Sequence, residues 1–199
     1  MFSGIVAATG KVSHIKQLEK GLSLVIDAGK LDLSDVSLGD SIACSGVCLT
    51  VVALDGKHFT VDVSRETLNC TVGLDGQNEI NLEKAMRLSD LIGGHLVSGH
   101  VDGVGEVVKF APIGESYELV IRAPRDLARF IAKKGSITVN GVSLTTNSVN
   151  GAEFSINLIP HTLEVTTLRH LKPGSGVNLE VDLIARYVER LYSAEKELG

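Results

Sequence analysis

The sequence repeats itself at a constant offset of 95 residues, and this repeat limits the fold more than any other feature. The motif GVCLT at Gly46–Thr50 returns as GVSLT at Gly141–Thr145. Further matched pairs are Ser41 and Ser136, Thr67 and Thr162, Gly4 and Gly99, Val6 and Val101, and Gly10 and Gly105. The register slips by two residues only near the end, where INLE from Ile80 is answered by VNLE from Val177. The repeat predicts two copies of one domain, at residues 1–95 and 96–199.

The composition is that of an ordinary globular protein, with 44% hydrophobic and 22% charged residues. A net charge of −5 without a basic cluster argues against a nucleic-acid surface. The apolar runs are short, and the start has no signal-peptide pattern, so we expect no membrane span and a cytoplasmic protein. Three cysteines without CxxC spacing predict neither a disulfide framework nor a zinc site. Two of them, Cys44 and Cys70, are expected to be small buried thiols in a reducing compartment.

Short apolar stretches rich in Val, Ile and Thr and separated by Gly predict antiparallel strands of a barrel or a sandwich. Matched turn signals, Asp55-Gly56 and Asn150-Gly151, lie between matched strands. The predicted strands are Leu22–Ile26, Ser41–Ala43, Cys48–Ala53, His58–Val63, Glu118–Ile121, Ser136–Val139, Ser143–Val149 and Glu153–Leu158.

Four segments have helical spacing or helix boundary signals. Pro124–Lys133 begins with Pro and precedes a Gly, and Leu31–Leu38 is its weaker counterpart in the first half. Leu82–Ile92, which ends at Gly93-Gly94, is predicted as a helix that links the halves. The amphipathic segment Leu183–Leu198 predicts a terminal helix, whose apolar face packs either on its own domain or on another subunit.

The positions at which the two copies differ separate chemistry from scaffold. Ile5 stands opposite His100, Cys48 opposite Ser143, Glu66 opposite His161, and Gly39 opposite Lys134. Hydroxyls that both copies keep, such as Thr50 and Thr145, suit repeated hydrogen bonds to one kind of ligand. They equally suit strand surfaces and turn caps.

The segment Gly93–Gly103 is the densest candidate site. Within it, the imidazole of His100 could act as a general acid or base at neutral pH. Metal binding by His95, His100 and Asp102 fits the residue types, but five residues of extended strand place the two imidazoles on opposite faces. Cys48 is a nucleophile, a ligand contact or drift within a core, and no neighbouring His in the sequence would activate it for a covalent role. Phe2 either closes the end of a barrel or faces a substrate.

The chain resembles the riboflavin synthase family of the alpha-subunit type over essentially its whole length. The matching motifs are MFSGIV at Met1–Val6, GDSIACSGVCLTV at Gly39–Val51, ETL at Glu66–Leu68, NLEKAM at Asn81–Met86, GGHLVSGHVDG at Gly93–Gly103, KGSITVNGVSLT at Lys134–Thr145, IPHTLEVTTL at Ile159–Leu168 and VNLEVD at Val177–Asp182. The chain departs from some relatives at Cys44 and at His161, where the family can carry Glu.

The resemblance implies a mostly β fold of two tandem six-stranded antiparallel barrels with short helices and a C-terminal helix. It implies a homotrimer in which the first barrel of one subunit and the second barrel of its neighbour form each active site. The implied reaction is a dismutation of two 6,7-dimethyl-8-ribityllumazine molecules, without metal or organic cofactor, to riboflavin and 5-amino-6-ribitylaminouracil. Lumazine synthase is a candidate partner.

The resemblance also implies the ligand-contacting residues of each barrel. The first pocket would comprise Gly4, Ile5, Val6, Cys48, Leu49, Thr50, Asp62, Val63, Ser64, Arg65, Glu66 and Thr67. The second would comprise Gly99, His100, Val101, Lys134, Ser143, Leu144, Thr145, Leu158, Ile159, Pro160, His161, Thr162 and Leu163. The positions that align with residues implicated in turnover are Phe2, Ser41, Cys48, His100 and Asp182.

A dismutation requires two identical molecules to react differently, and a duplicated site with diverged polar groups provides two environments. We hypothesise that water or a pocket hydroxyl adds to the donor ring, while a base removes a proton from the 7-methyl group of the acceptor. His100 and Cys48 are assigned to proton transfer and positioning, with Ser41 and Asp182 in support. The alternatives are an antenna protein that binds a lumazine or flavin without converting it, and a structural module.

Overall fold

Two closed antiparallel barrels form the body of the protein in the computed structural model, which describes residues 1–198, with side chains to residue 195. The first barrel consists of β1 (Ala8–Leu18), β2 (Gly21–Asp27), β3 (Ser41–Cys44), β4 (Val47–Asp55), β5 (His58–Ser64) and β6 (Glu79–Lys84). The second consists of β7 (Gly103–Ile113), β8 (Ser116–Arg122), β9 (Ser136–Val139), β10 (Val142–Asn150), β11 (Glu153–Leu158) and β12 (Gly176–Val181). The two barrels have the same cyclic strand order, which confirms the predicted pair of six-stranded barrels.

The hairpin turns follow their sequence signals. Asp55 pairs with His58, and Asn150 pairs with Glu153, so each turn glycine lies in a tight connection. Gly56 and Gly151 have φ values of 56° and 60°, which an L side chain adopts with strain. The predicted strands all lie within observed strands.

Of the four predicted helices, only the terminal one forms as expected, as α3 (Leu183–Leu198). Leu31–Leu38 forms turns, and Pro124–Lys133 contains a single 3-10 turn at Ala128–Phe130. The predicted linker helix Leu82–Ile92 is wrong, because its beginning completes the first barrel as part of β6. The rest of the segment, residues 85–92, forms no helix, and the apolar side chains of Leu88 and Leu91 point into solvent.

Two short helices that the sequence analysis did not predict follow the fifth strand of each barrel. They are α1 (Arg65–Cys70) and α2 (Pro160–Val165), and neither buries a side chain. Ser64 caps α1 by accepting a hydrogen bond from the backbone N–H of Thr67. In α2 the first helical residue is instead Pro160, which has a suitable φ and needs no partner for an N–H group.

Strand alternation divides each barrel wall into an inner and an outer face. On β4 the side chains of Val47, Leu49 and Val51 join the core of the first barrel, so those of Cys48 and Thr50 point outward. On β10 the apolar side chains of Val142 and Leu144 likewise join the second core, and those of Ser143 and Thr145 point outward. The repeated GVxLT motif therefore presents its polar side chains outside the barrels.

The N-terminal segment of each repeat crosses to the other barrel. We call residues 1–6 and 97–101 the crossing segments; they pair with each other through an antiparallel bridge between Phe2 and Val97. The backbone N–H of Ser143 donates to the carbonyl of Gly4 at 2.7 Å, and that of Cys48 donates to the carbonyl of Gly99 at 2.9 Å. Each barrel is thus covered by the segment that begins the other repeat.

Two buried carboxylates hold the crossing segments at their bends. Glu83 of β6 accepts hydrogen bonds from the backbone N–H groups of Ser3 and Gly4 and from the Ser3 hydroxyl, at 2.7–3.0 Å. Glu180 of β12 accepts the matching three bonds, from Ser98 and Gly99, at 2.7–2.9 Å. These equivalent bonds also show that β6 and β12 correspond at an offset of 97 residues.

A second pair of polar side chains joins the barrels at their centre. Asn81 donates to the carbonyl of Asn140, and Asn178 donates to that of Ser45, at 2.8 and 3.0 Å. Because buried amide groups are costly unless they are fully hydrogen-bonded, these bonds fix the relative position of the two barrels. Beyond β12, the start of α3 is held by Arg186, whose guanidinium donates to Asp102 at 2.7 and 2.9 Å.

Candidate functional site

The outer face of the first barrel carries three of the predicted catalytic residues. Ser41 lies opposite Thr50 across β3 and β4, and Ala43 lies opposite Cys48. The crossing segment places Gly99 on Cys48 so closely that a Cβ at Gly99 would lie 2.6 Å from the Cβ of Cys48. His100 follows directly and is exposed. The fold therefore brings His100 next to Cys48, although they belong to different repeats.

Phe2 is the apolar support of this first face. Its side chain is completely buried and packs with Ala43 and Val97, with Cys48 and Ala85 against them. It closes the junction between the crossing segments and the barrel wall. Of the two predicted roles, a plug at a barrel end and a substrate contact, the first does not apply, because Phe2 packs outside the barrel wall.

Ser41 borders a cleft of about 690 Å³ beside β3. Ile5 and Glu83 line the same cleft, and so do Met86 and Leu91 from the segment that follows β6. The hydroxyl-bearing residue is half-buried, so Ser41 is accessible from this side of the first barrel.

The outer face of the second barrel carries a polar cluster in the corresponding place. His95 Nδ1 lies 2.7 Å from the Ser143 hydroxyl oxygen, and His95 Nε2 lies 3.2 Å from the Thr138 hydroxyl oxygen. Burial lowers the pKa of His95, and the negative charges of Asp182 and Glu180 oppose this shift. At neutral pH the ring is therefore uncharged, with one nitrogen as donor and the other as acceptor.

The two faces differ most at three equivalent positions. Ala43, Cys48 and Ala85 on the first barrel correspond to Thr138, Ser143 and Asp182 on the second, at offsets of 95, 95 and 97 residues. An apolar patch under Phe2 thus corresponds to a hydrogen-bonded cluster around His95. Of these six positions, the sequence analysis compared only Cys48 with Ser143.

Lys134 has the backbone conformation of a glycine. Its φ is 66°, while its counterpart Gly39 has 92°, and both donate an N–H to the strand that carries the GVxLT motif. A non-glycine residue in the left-handed region costs about 1–2 kcal/mol. Such strain is typical of functional positions. In this conformation the exposed ammonium group of Lys134 lies beside β10.

Not every predicted contact residue has a side chain on an outer face. Leu49, Val63 and Leu158 belong to the barrel cores, so only their backbones could contact a ligand, and Leu144 packs against the second core. Asp62, Ser64, Arg65, Glu66 and Thr67 lie on the exposed side at the end of β5 and in α1, and Ile159, Pro160, His161, Thr162 and Leu163 lie at the equivalent site in the second barrel.

Each crossing segment lies on the barrel opposite to the one whose pocket the resemblance assigned it to. Gly4, Ile5 and Val6 were predicted for the first barrel, but Gly4 contacts Ser143 and Val6 packs on the second core. Conversely, Gly99 contacts Cys48, and Val101 packs on the first core. The pocket sets came from the resemblance, and the repeat offset identifies equivalent residues without indicating which barrel an N-terminal segment contacts.

The three thiols have three different environments. Cys44 is buried inside the first barrel as predicted, and burial raises its pKa far above the ordinary value. The prediction of a buried Cys70 is wrong, because Cys70 ends α1, a surface helix without a buried face. There partial desolvation raises the pKa of Cys70, and so, to a lesser extent, does the carboxylate of Glu66, which lies 3.6 Å from its Sγ.

Two of the three residues considered for a metal are engaged by other partners. His95 is engaged by two hydroxyls, and Asp102 accepts from Arg186 and from the N–H of Val181. Within the described part of the chain, no three His, Cys, Asp or Glu side chains are arranged to hold an ion. None of the described helices is long and apolar enough to cross a membrane.

Comparisons with known proteins agree with this duplicated architecture. Residues 3–85 and 98–182 each match the family model of the lumazine binding domain. The chain is 44% identical to the riboflavin synthase of Photobacterium phosphoreum, over 98% of this chain and 91% of that protein. It is 46% identical to that of Brucella abortus, over 98% and 100% of the two chains. For the riboflavin synthase of Mycobacterium tuberculosis the identity is 47%, over 96% and 98%.

Solved structures of LumP are similar over most of the fold. The complex with 6,7-dimethyl-8-(1'-D-ribityl) lumazine is 27% identical, with a TM-score of 0.80 over 91% of this chain and 99% of that one. The complex with riboflavin is 28% identical, with a TM-score of 0.81 and the same coverage.

Proposed function

The chain belongs to the riboflavin synthase family, built from two lumazine-binding domains, and we infer that it is a transferase that forms riboflavin. Two molecules of 6,7-dimethyl-8-ribityllumazine exchange a four-carbon unit, and the products are riboflavin and 5-amino-6-ribitylaminouracil. The observation that carries this function is the pair of equivalent outer faces with different polar groups, Cys48 and His100 on one and Ser143 and His95 on the other.

The two faces provide the two environments that a dismutation needs. One ring can lie against the half-buried Cys48 and Ser41, which the buried Phe2 and Ala43 support from behind, with the exposed His100 beside it. The other ring can lie against the hydroxyls of Ser143 and Thr145, beside Lys134, whose backbone is hydrogen-bonded to β10. Holding two reactants in contact lowers a bimolecular barrier by about 7–11 kcal/mol, so positioning supplies much of the acceleration.

We assign proton transfer and positioning on the first face to His100 and Cys48. Ser41 supports the first face from the neighbouring strand, and Asp182 supports the second through its charge near His95. Water or a pocket hydroxyl then adds to the donor ring, while a base removes a 7-methyl proton from the acceptor. Replacement of any one of these polar groups should slow the reaction without abolishing it.

The direct experiment is to incubate the purified chain with the lumazine and to follow riboflavin by absorbance. Riboflavin formation supports the enzyme. Binding of the lumazine with shifted fluorescence but without product would instead support an antenna function, which the similarity to LumP makes the second candidate. Neither binding nor product would support the structural module. A His100→Ala variant with unchanged turnover would remove His100 from the mechanism.

We further propose that the complete site forms between subunits of a homotrimer. Within one chain Cys48 and His100 lie on the first barrel, whereas Asp182 and Ser143 lie on the second. The exposed face of α3 supports an association of subunits, because Ile184, Tyr187, Val188, Leu191 and Tyr192 are each at least 60% exposed. These residues follow the spacing of a helix-bundle seam.

The oligomer is tested by a charge in this seam. Leu191→Asp should convert a trimer into monomers in sedimentation velocity and abolish riboflavin formation, while lumazine binding to single barrels persists. Ile113→Asp, at the tip of the hairpin between β7 and β8, is the matched control and should leave the trimer intact. A fully active Leu191→Asp monomer would contradict a site shared between subunits.

Three predictions from the sequence remain part of this proposal. Limited proteolysis should cut in the exposed segment at residues 88–92, just before the expected domain boundary at residues 95 and 96. Fractionation of cells should recover the protein with the cytoplasm. Mixing the purified chain with lumazine synthase should show, in sedimentation, whether the two enzymes associate.

A further inference from the structure

The contacts of His95 with Ser143 and Thr138 have the geometry of a site that activates a hydroxyl group. Ser143 is half-buried and points to the outer face of the second barrel, where the ligand is proposed to lie. Its oxygen lies 2.7 Å from His95 Nδ1, and the opposite ring nitrogen is held by Thr138 at 3.2 Å. A hydroxyl, a base within hydrogen-bond reach and a third group that orients the base are the recurring parts of proton-transfer sites.

We propose that His95 is a positioning residue that acts on the substrate through Ser143, by accepting the proton that the Ser143 hydroxyl passes on. The inference rests on the proposed function and adds a second proton-handling group to it, on the second barrel. It also assigns the lumazine molecule that loses the 7-methyl proton to the second barrel. The first barrel has Ala43 and Cys48 in place of Thr138 and Ser143.

The proton transfer is balanced within the cluster. Ser143 Oγ takes a proton from the 7-methyl carbon of the bound ring, and the electron pair of that C–H bond stays on the ring. The original hydroxyl proton of Ser143 passes to His95 Nδ1, which gives an imidazolium with Nε2–H donated to Thr138. The proton returns by the same route once the ring anion has reacted, so no external acid, base or oxidant is consumed.

The surroundings of the ring suit a group that is neutral at rest and charged only briefly. Burial lowers the pKa of His95, which keeps the base free at neutral pH. Asp182 and Glu180, the charged groups that face it from the end of β12, stabilise the imidazolium when it forms. Glu180 is held in place by the backbone of the crossing segment, so its charge cannot turn away.

The experiment measures proton removal separately from riboflavin formation. Bound 6,7-dimethyl-8-ribityllumazine is incubated in D₂O, and loss of the 7-methyl signal is followed by proton NMR above the rate without protein. The test variant is His95→Asn, because the amide can keep the hydrogen bond to Ser143 but does not titrate. His14→Gln, an exposed histidine on β1, is the control.

We expect His95→Asn to slow 7-methyl exchange and turnover by about 10²-fold or more, the contribution of a typical acid–base group. The lumazine Kd, measured by fluorescence, should change less than threefold. The acidic limb of the pH–rate profile should be present in the wild type and absent in His95→Asn, because the variant has no imidazole that must be neutral for the reaction. Ser143→Ala should show the same loss, and the double variant no further loss, since the two groups act in series.

Unchanged exchange in His95→Asn would overturn the inference. A parallel loss of binding and exchange with an unaltered pH profile would also overturn it, because it would show a purely structural role. If the variant does not fold, as judged by circular dichroism, Ser143→Ala carries the test alone. A wild-type protein that binds the lumazine but forms no riboflavin would contradict the proposed function, whereas an active His95→Asn contradicts only this inference.

Discussion

Replacement of Thr146 by Val should stabilise the protein. Thr146 is 1% exposed inside the second barrel, and its hydroxyl has no hydrogen-bond partner among the described residues. Its counterpart at the repeat offset is Val51, which is equally buried in the first barrel, so a barrel of this shape accepts the apolar side chain at this position. An unpartnered buried hydroxyl costs about 1–3 kcal/mol.

We therefore expect Thr146→Val to raise the free energy of unfolding by about 1–2 kcal/mol, because the replacement has nearly the same volume and removes the unsatisfied group. For a chain of this size that corresponds to a rise in Tm of about 2–8 °C. Urea unfolding followed by circular dichroism measures the change. Turnover should be unaffected, since the residue points into the core.

The reciprocal variant is the control. Val51→Thr places the same hydroxyl in the first barrel and should lower the unfolding free energy by a similar amount. A Thr146→Val protein that is no more stable than the wild type would refute the reasoning, since the hydroxyl would then be satisfied. Equal stability of Val51→Thr and the wild type would show that both barrels accommodate a hydroxyl at no cost.

Three further predictions concern the site. Lys134→Gly should reduce riboflavin formation while changing stability by less than about 1 kcal/mol, because relief of the left-handed strain offsets the added chain entropy of glycine; steady-state kinetics and thermal unfolding measure the two effects, and unchanged kinetics would contradict a ligand contact. Gly99→Ala should destabilise the protein by about 2–3 kcal/mol, because its Cβ would lie 2.6 Å from that of Cys48 at a φ of 80°; a stable variant in urea unfolding would show that the crossing segment moves freely. The wild type should lose stability relative to His95→Asn as the pH falls below 6.5, since the lowered pKa lets the unfolded chain bind the proton more readily; urea midpoints at several pH values test this, and a constant difference would refute it.

The repeat alone predicted much of the fold. Turn signals, alternating apolar strands and the constant offset identified two equivalent β domains, while closure into barrels came with the family resemblance. The prediction of a helix at Leu82–Ile92 failed because its apolar residues at helical spacing do not share a buried face. Leu82 belongs to a strand of the barrel wall and its side chain is buried in the core, whereas Leu88 and Leu91 are exposed.

The site was only partly predictable for physical reasons. His95 escaped the comparison of the two halves because its counterpart would precede Met1. Asp182 entered only through the resemblance, because the register slip hides its correspondence with Ala85. The adjacency of His100 and Cys48 depends on a segment that crosses between barrels, and no local pattern encodes that path.

The exchange of crossing segments orders events during synthesis. The first barrel leaves the ribosome well before Gly99, which must cover Cys48, and before Asn178, which must bond to Ser45 at a separation of 133 residues. Until then the apolar side chains of Ala43, Cys48 and Ala85 on its outer face are uncovered and can associate with other nascent chains. We expect the docking of the two halves to be the slow, long-range step of folding, and the ligand faces to be complete only after it.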